Sequence, residues 1–444
     1  MLKSTVTMAV CLLSLCAQAQ SVLRGNVQDA KTKEPLVGAT VVLQGTGWSA
    51  VTDERGKFQF TQVKPGTYDA EVRFVGFKTV TQSMTVPSAN DFVIGMEEDV
   101  VMTDEVIVSA TRANEKGPTT FTTLGKITLQ KQNFGQDLPI LLNWAPSMVT
   151  TSDAGAGVGY TGMRIRGTDG TRINVTINGI PINDSESQGT FWVNTPDITS
   201  STQSVQVQRG VGTSTNGAGA FGATVNLQTN ARNDNAYADV INSVGSFNTW
   251  RHTVAFGSGL INNRFVFDGR LSKIQSDGFV DRASSDLKSY YLAGGYYGKK
   301  TMIKAITFGG KEITYQSWWG VPESRLKNDV PAMLATAADE GWNQVQTDNL
   351  LNSNPRTFNA YTYANQVDNY SQDHYQLHAS HRFSEYLTAN AALHYTRGKG
   401  YYEEFRYNDD LADYSLPDVV IGSETISSTD LVRRRWLDNH FYGF

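Results

Sequence analysis

Few residues in this chain have the types and spacing needed for catalysis or metal binding. The sequence contains no G-x-S-x-G, H-E-x-x-H or P-loop pattern, and both cysteines, Cys11 and Cys16, lie near the N-terminus. His374 and His378 have the i, i+4 spacing that places two metal ligands on one face of a helix. Their neighbours alternate like a strand, however, so the two would lie about 13 Å apart on one side, with His381 facing away. We therefore predict no catalytic residue, no metal site and no cofactor.

A glycine pattern is the other candidate for chemistry. Gly217, Gly219 and Gly222 fit the G-x-G-x-x-G pattern of dinucleotide sites. Such a site needs a helix N-terminus next, so that its amides and dipole point at the pyrophosphate. Residues 223–228 are instead patterned as a strand, so we interpret these glycines as tight-turn and close-packing positions. The formal net charge of -5 also argues against nucleic acid as a partner.

The first 19 residues have the pattern of a secretory signal peptide. Lys3 provides a positive charge, an apolar run follows from Val6 to Leu15, and Ala17-Gln18-Ala19 provides small residues at a cleavable bond. We predict cleavage before Gln20, which removes both cysteines and excludes disulfides. Lipoprotein processing at Cys16 is the alternative, although Leu15 is larger than the residue that this processing prefers.

Residues 20–98 are a series of short β-prone runs separated by turn signals. Turn residues cluster at Asp29–Lys31, Asp53–Gly56 and Lys64–Gly66. This spacing predicts a small β-sandwich. The runs GNVQDAKTKEPLVGATVVLQGTGWSAVTDERGKFQF and PGTYDAEVRFVGF resemble the carboxypeptidase regulatory-like, transthyretin-like domain. We interpret this region as a stable domain with no chemistry of its own.

Residues 99–117 form an acidic linker that contains one β-prone run, DEVIVSATR. A short strand flanked by linker can pair with the exposed sheet edge of another protein, although it can also be an ordinary edge strand. Its position between two domains favours the first interpretation, and it resembles the TonB box of TonB-dependent transporters. The resemblance implies that a TonB-type energy-transducing protein of the inner membrane binds here. The box residues are then Asp104, Glu105, Val106, Ile107, Val108, Ser109, Ala110, Thr111 and Arg112.

Residues 118–230 are rich in glycine and mixed in character. Residues 137–144 favour one helix, and the runs MRIRG, INVTINGIPI, SVQVQRG and ATVNLQT favour a small sheet. In their order along the chain, these runs resemble the plug domain of TonB-dependent transporters. The positions that carry the resemblance are Arg164, Arg166, Gly167, Asn178, Gly179, Arg209, Gly210, Gly217, Gly219, Gly222 and Asn226.

Residues 231–444 change to long segments in which apolar and polar residues alternate. From Leu387 to Thr396 the apolar residues occupy every second position, so one face suits lipid and the other water. Aromatic pairs such as Trp318-Trp319 and Tyr401-Tyr402 lie near segment ends, as in the interface girdles of outer-membrane barrels. Short turns, for example Asn248-Thr249, alternate with long polar stretches at 314–370 and 401–434. This asymmetry is typical of short periplasmic turns and long outer loops.

About eight such segments are present, and eight strands make a barrel that is already filled by its own side chains. A plug would not fit inside it, and an open sheet in lipid would leave edge amides unpaired. We therefore expect an N-terminal fragment, with a natural end at Phe444 as the alternative. The predicted fold is mainly β, with an N-terminal β-sandwich, a small α+β plug and an incomplete transmembrane antiparallel β-barrel.

The family resemblance implies active transport of a scarce nutrient across the cell outer membrane, surrounded by outer-membrane lipid and with the sandwich in the periplasm. We expect a small extracellular ligand to meet plug loops 152–160 and 184–192 through Tyr160, Phe191 and Trp192. Arg164 and Arg166 are expected to form ion pairs with barrel carboxylates. The expected cargo is a ferric siderophore, an iron chelate, with haem, cobalamin and glycans as alternatives.

Two other functions remain open. A surface receptor or adhesin would bind ligand without moving it, and would keep full activity without residues 104–112. A periplasmic accessory protein that acts with carbohydrate-active enzymes or peptidases is suggested by the sandwich alone, and would be recovered from the soluble periplasm.

Overall fold

The computed structural model describes residues 21–74, 77–88, 90–97, 112–113, 117, 119–211, 220–384 and 386–444. The predicted signal peptide, box residues 104–111, Gly217 and Gly219 lie outside these ranges. The chain divides into two compact units at residues 102 and 103. Among the helices of the described ranges, none is both long and apolar enough to cross a membrane.

The first unit is a β-sandwich, as predicted. One sheet has the order β4-β1-β7 and the other has the order β3-β2-β5-β6. Alternate residues point inward, so that Phe58 and Phe60 of one sheet and Val41 and Leu43 of the other are buried in a shared core. The last strand, which pairs parallel to the first, was not among the predicted runs. The strands are β1 (Ser21–Asp29), β2 (Thr40–Leu43), β3 (Ser49–Val51), β4 (Lys57–Val63), β5 (Gly66–Arg73), β6 (Val80–Val86) and β7 (Phe92–Met96).

The second unit begins with the region predicted to be a plug. Five strands form a sheet of order β12-β11-β14-β13-β8, and β9 pairs with β10 apart from it. The predicted run MRIRG therefore lies outside the main sheet. The predicted helix is a single turn that starts after Asp137 and ends at Leu141. The elements are β8 (Thr120–Gly125), α1 (Lys126–Gln132), α2 (Leu138–Leu141), β9 (Met148–Ser152), β10 (Thr161–Ile165), β11 (Ile173–Ile177), β12 (Ile180–Pro181), β13 (Thr202–Arg209) and β14 (Ala223–Thr229).

The rest of the second unit is an antiparallel sheet of eight strands in chain order. Its outer strands, β15 and β24, each have one neighbour within the described chain, so the sheet is not closed there. A short hairpin of β22 (Val419–Ile421) and β23 (Glu424–Ile426) precedes the last strand. The sheet strands are β15 (Ala236–Gly245), β16 (Thr249–Ser258), β17 (Phe265–Ser276), β18 (Ser285–Tyr297), β19 (Thr301–Tyr315), β20 (Val367–Arg382), β21 (Thr388–Asp410) and β24 (Ser428–Gly443).

The predicted two-faced alternation is present in these strands. On β20, His374 and His378 are buried on the face that meets the plug region, whereas Tyr375 and Leu377 are exposed on the other. We call the first the inner face and the second the outer face. The 401–434 stretch, predicted to be a loop, is mostly strand, because Glu403 and Glu404 on β21 form cross-strand ion pairs of 2.5 and 2.6 Å with β24.

The connections differ in length between the two ends of the sheet. Residues 316–366 join β19 to β20 and contain α3 (Glu323–Leu326), α4 (Val330–Asp339) and α5 (Gln344–Asn352). Asn343 and Gln346 form a reciprocal capping box that starts the last helix. The turn at Asn248 lies at the same end as this long connection, because the strands run antiparallel. That turn is therefore not one of the short turns of the opposite end.

Candidate functional site

One buried carboxylate joins the plug region to the large sheet. Asp197 lies just before the 3-10 turn Ile198–Ser201 and has a φ of 54°. Aspartate adopts this left-handed conformation more easily than most residues. The side chain contacts the inner face of β16 and β17, which carry Arg251 and Arg270.

Both oxygens of the Asp197 carboxylate are fully engaged. Arg251 Nη2 lies 3.1 Å from Oδ1, and Arg270 Nη1 lies 3.3 Å from Oδ2. Thr253 and Ser272 face each other across the two strands and donate their hydroxyls to Oδ2 at 2.8 and 2.7 Å. The three charged side chains are at most 3% exposed. The plug region is therefore held to the sheet by charge-assisted contacts that exclude water.

The two arginines decide the protonation state of Asp197. Burial alone would raise its pKa, but Arg270, Arg251 and the surrounding hydroxyls outweigh burial and hold the pKa below its ordinary value. A buried ion pair adds little net stability, yet removing one partner typically costs ~3–5 kcal/mol, because a charge is left unpaired. This contact therefore fixes the position of the plug region on the sheet.

This arrangement differs from the ion pairs expected for Arg164 and Arg166. Both side chains are exposed, and neither forms an ion pair with a sheet carboxylate in the described part of the chain. Arg166 instead donates to Thr120 Oγ1 at 3.1 Å. The carboxylate lies in the plug region and the arginines lie on the sheet, which is the reverse of the prediction.

A cavity of about 530 Å³ lies between the plug region and the inner face of the sheet. The plug region contributes Tyr160 and parts of loop 182–195, and the sheet contributes residues of β19, β20, β21 and β24. Both predicted ligand loops therefore reach this part of the molecule. Glu312 and Asp368, which line the cavity, lie where β19 ends and β20 begins, beside the long connection.

Four aromatic rings form a continuous group, of which Tyr160 and Phe191 line this cavity. Tyr160 has its ring centroid 6.5 Å from that of Phe191 and 5.2 Å from that of Trp318, which lies 5.9 Å from Tyr402. Tyr160 and Phe191 were predicted as ligand contacts. Trp318 and Tyr402 had been interpreted as girdle residues, but Trp318 contacts the plug region instead. Aromatic faces of this kind give a ligand large apolar contact area.

The predicted contact Trp192 is placed differently from its neighbour Phe191. Trp192 is 3% exposed and packs in the core between the plug sheet and the large sheet, whereas Phe191 is 44% exposed. A 3-10 turn begins at Trp192 and points the two side chains in different directions. Trp192 is therefore packed in the core of this structure, and the ligand contact expected there stays a prediction.

Tyr160 connects the plug region to a carboxylate on the sheet. Its hydroxyl donates to Asp368 Oδ2. Burial, followed by the nearby Glu312 and Asp368 carboxylates, raises the pKa of Tyr160 well above its ordinary value, so the phenol remains a donor. A ligand that touches Tyr160 would therefore touch a contact between the two layers.

Arg112, the last residue of the predicted box, and the next residue, Ala113, form hydrogen bonds with the plug sheet. The Arg112 guanidinium donates to Ser204 Oγ at 2.8 Å, to Ser204 O at 3.1 Å and to Asn226 O at 2.9 Å. Ala113 N donates to Gln206 Oε1 at 2.8 Å, and Gln206 Nε2 donates back to Ala113 O at 3.1 Å. Arg112 and Ala113 are thus attached to β13 and β14.

The predicted plug motif Asn178-Gly179 forms the tight turn between β11 and β12. Both residues have positive φ, of 56° and 81°, as a two-residue hairpin requires. The Asn178 side chain also donates to Gln376 Oε1 at 3.0 Å and accepts from Thr229 N at 2.9 Å. It therefore links the turn to both the plug sheet and the large sheet.

The other described motif positions are structural as well. Gly167 and Gly210 have φ of 80° and 101°, and a side chain at Gly222 would collide with Thr168. Arg209 Nη1 donates to Thr122 Oγ1 at 2.6 Å, and Asn226 Oδ1 accepts from Thr176 at 2.6 Å. After Gly222 the chain continues as β14 rather than as a helix, so the dinucleotide pattern has no helix N-terminus.

The three histidines of β20 lie on two different faces of the sheet. His374 and His378 are buried on the inner face, and His381 lies on the outer side, where Thr301 contacts its Nδ1 at 2.8 Å. Within the described ranges, no group of three or more His, Cys, Asp or Glu residues has metal-binding geometry. Strand alternation accounts for this arrangement, because His374 and His378 are an even number of positions apart and His381 is an odd number away from both.

Comparison with known proteins agrees with this architecture. Residues 23–108 match the family profile of the CarboxypepD_reg-like domain, and residues 113–224 match that of the TonB-dependent Receptor Plug Domain. The chain therefore carries a CarboxypepD_reg-like domain followed by a TonB-dependent receptor plug domain. It is 36% identical over 97 residues to the TonB-dependent receptor SusC of Bacteroides thetaiotaomicron, an alignment that covers 22% of this chain and 9% of SusC.

The fold is also similar to solved structures of the ferric-catecholate import receptor Fiu from E. coli K12. The open form has 17% identity and a TM-score of 0.50, with 65% of this chain and 40% of Fiu covered. The closed form has 15% identity and a TM-score of 0.50, with 74% and 43% covered. The chain thus spans less than half of these proteins, and the likeness supports the predicted plug and barrel-type sheet.

Asp197, its arginine partners, Glu312 and Asp368 were not predicted as site residues. One signal was available, because Arg270 lies among the polar residues of an alternating strand. A charged residue on the inner face needs a partner there. The partner could not be identified, since Arg251 Nε and Asp197 Oδ2, 3.4 Å apart, belong to residues 54 positions apart in the chain.

Proposed function

We propose that this receptor takes up a small extracellular ligand across the outer membrane, with energy supplied by a TonB-type protein. The observation that carries the proposal is the cavity between the plug region and the inner face of the sheet. A ligand bound there would touch both layers at once. Binding could then favour one arrangement of the plug over another, which is the requirement for coupling two sites.

The outer face of the large sheet supports a location in the outer membrane. Its exposed side chains include Phe256, Phe267, Leu271, Leu292 and Leu393. Strands whose outer face is apolar and whose inner face is polar are typical of transmembrane barrels. We infer that outer-membrane lipid covers this face and that the long connection 316–366 lies outside the cell.

Residues 104–112 are the proposed binding segment for the energy-transducing partner. The run Glu105–Ala110 has the β propensity needed for strand addition. Arg112 and Ala113 would pass a pulling force to β13 and β14, two inner strands of the plug sheet, through the five hydrogen bonds described above. We infer that the force acts first on these contacts and afterwards on the edge strand β8.

The cargo that we propose is an iron chelate of the siderophore class. A glycan is the second candidate, because glycans are among the alternatives that the family resemblance leaves open. The cavity is large enough to hold much of a ligand in either class, since binding sites for small molecules commonly measure ~300–1,000 Å³.

Replacement of Val106 by proline tests the energised step. Proline lacks the backbone N–H that strand addition needs, so Val106→Pro should abolish uptake of a labelled ligand by cells while leaving its equilibrium binding unchanged. Val106→Ala is the matched control and should retain uptake. Full uptake by the proline variant would mean that uptake does not depend on strand addition at this segment, or that the box is elsewhere.

A further inference from the structure

The ligand cavity contains polar atoms whose hydrogen-bonding capacity is not used. Thr190, Asn194, Asp368 and His374 all line it, and their atoms Thr190 Oγ1, Asn194 Oδ1, Asp368 Oδ1 and His374 Nε2 are buried with no hydrogen-bond partner within the described chain. Asp368 and His374 are only 5% and 4% exposed. A buried polar atom without a partner is costly, so each one indicates a position for a ligand group or a bound water.

The same cavity has an uneven charge distribution. Asp184, Glu186, Glu312 and Asp368 line it without any lysine or arginine among the lining residues. A fifth carboxylate, that of Asp438, is paired with Arg397. Like charges placed together across an interface are strongly unfavourable. An anionic ligand would therefore meet acidic side chains, with no lysine or arginine among the described lining residues.

We propose that this cavity selects a ligand that donates several hydrogen bonds and carries no net negative charge. The proposal rests on the proposed function, because it concerns the same cavity. Asp368 Oδ1 and Asn194 Oδ1 can only accept hydrogen bonds, so the ligand must supply donors to both. Tyr160 and Phe191 offer ring faces to its less polar side.

Two ligand chemistries meet these requirements. One is a neutral polyhydroxylated molecule such as an oligosaccharide, and the other is a neutral or cationic ferric trihydroxamate. Three hydroxamates cancel the charge of ferric iron, whereas three catecholates leave a charge of about three negative units. The cavity is therefore unsuited to a ferric tris-catecholate, although both chelates belong to the siderophore class.

Binding of three probes to the full-length receptor in detergent tests this selectivity. The probes are a neutral oligosaccharide, a ferric trihydroxamate with a free ammonium group, and a ferric tris-catecholate. We expect one of the first two to bind at least ~10-fold more tightly than the tris-catecholate, equivalent to ~1.4 kcal/mol. Tightest binding by the tris-catecholate, or binding by none of the three, overturns the proposal.

Asp368→Asn tests the role of the unused acceptor. The asparagine oxygen can still accept from Tyr160, but an amide donor would replace Oδ1 in the cavity, so affinity for the bound probe should fall ~10-fold. Asp373→Asn is the matched control, because Asp373 lies on the same strand and accepts from Tyr290 at 2.8 Å on the other face. Equal affinity in the two variants would show that Asp368 does not contact the ligand.

Glu186→Lys provides a variant that should fold, since Glu186 is exposed in the plug loop. It should narrow the difference between cationic and anionic probes and leave the neutral probe unchanged. An unchanged ranking of all three probes contradicts the charge argument. These binding results are independent of the Val106→Pro uptake result, so failure of the selectivity and failure of energised transport can be told apart.

Discussion

Two fully buried aspartates of the plug region have opposite protonation preferences. Asp197 meets two arginines, and its pKa is held below the ordinary value. Asp137 caps the short helix α2, accepts from Thr161 Oγ1 at 3.0 Å, and has no cation within ion-pair distance in the described ranges. Burial raises the pKa of Asp137 to about 8, with a small further contribution from Asp197.

The difference shows what each residue can do in the receptor. Asp197 is a charged attachment of the plug region to the sheet, and it is insensitive to pH near neutrality. Asp137 is neutral at pH 7, and its contacts stay inside the plug region. Both aspartates are buried, so the difference between their pKa values comes from the two arginines beside Asp197 and not from the depth of burial.

The same substitution at both aspartates gives the largest expected contrast. Asp197→Asn keeps the shape and tolerates the left-handed backbone, but it leaves two guanidinium groups buried side by side without a counter-charge. We expect a loss of ~3–5 kcal/mol, measured as a lower thermal midpoint and faster proteolysis of the plug in detergent. Asp137→Asn should instead raise the midpoint at pH 7, because the folded wild type must hold a proton on Asp137 there and asparagine is neutral without one.

This contrast depends on the arginines lying against Asp197. If Asp197→Asn and Asp137→Asn lower the midpoint equally at pH 7, the two buried carboxyls are equivalent and the attachment described here is wrong. An exposed pair serves as a further control, because Asp234, which pairs with Arg232 at 2.8 Å, is 56% exposed. Asp234→Asn should cost at most ~1 kcal/mol.

The stability of the wild-type receptor should depend on pH through Asp137. Its folded-state pKa of about 8 lies above the ordinary aspartate value, so the folded state holds one more proton between these values. Stability is therefore highest below that window and falls as the pH rises through it, by roughly 2 kcal/mol between pH 6 and 8. Asp137→Asn should remove this fall, as measured by unfolding at both pH values.

A wild-type receptor with a flat profile over this range, matching that of Asp137→Asn, would contradict the neutral state of Asp137. Asp197 contributes in the opposite sense. Its pKa is depressed, so its stabilisation is present above the ordinary aspartate pKa and is lost only in strong acid as the pH falls through the folded value.

Much of the fold could be predicted because it depends on local pattern. The alternation between Leu387 and Thr396 identified the two faces of β21, and turn residues identified the sandwich strands. Family resemblance supplied the plug. By contrast, the polar 401–434 stretch was predicted to be a loop, because the cross-strand partner of Glu403, which is Arg434, cannot be recognised from local polarity.

The candidate site was predicted only in part, for the same reason. Tyr160 and Phe191 follow from their place in plug loops. Trp192 is buried, unlike Phe191, because a 3-10 turn that begins at Trp192 gives the two side chains different directions. Asp197 was missed because its contacts are made with strands far along the chain, such as Ser272, which is 75 residues away. Burial and charge pairing between layers are properties of the tertiary structure.

Ser272→Ala gives the smallest change and the finest test of how Asp197 is held. The hydroxyl donates to Oδ2 at 2.7 Å, but Thr253 and both arginines still contact the carboxylate afterwards. We therefore expect a loss of only ~1 kcal/mol, and no effect when Ser272→Ala is added to Asp197→Asn. An additive loss in the double variant would mean that Ser272 stabilises the strands independently, and that its contact with Asp197 contributes little.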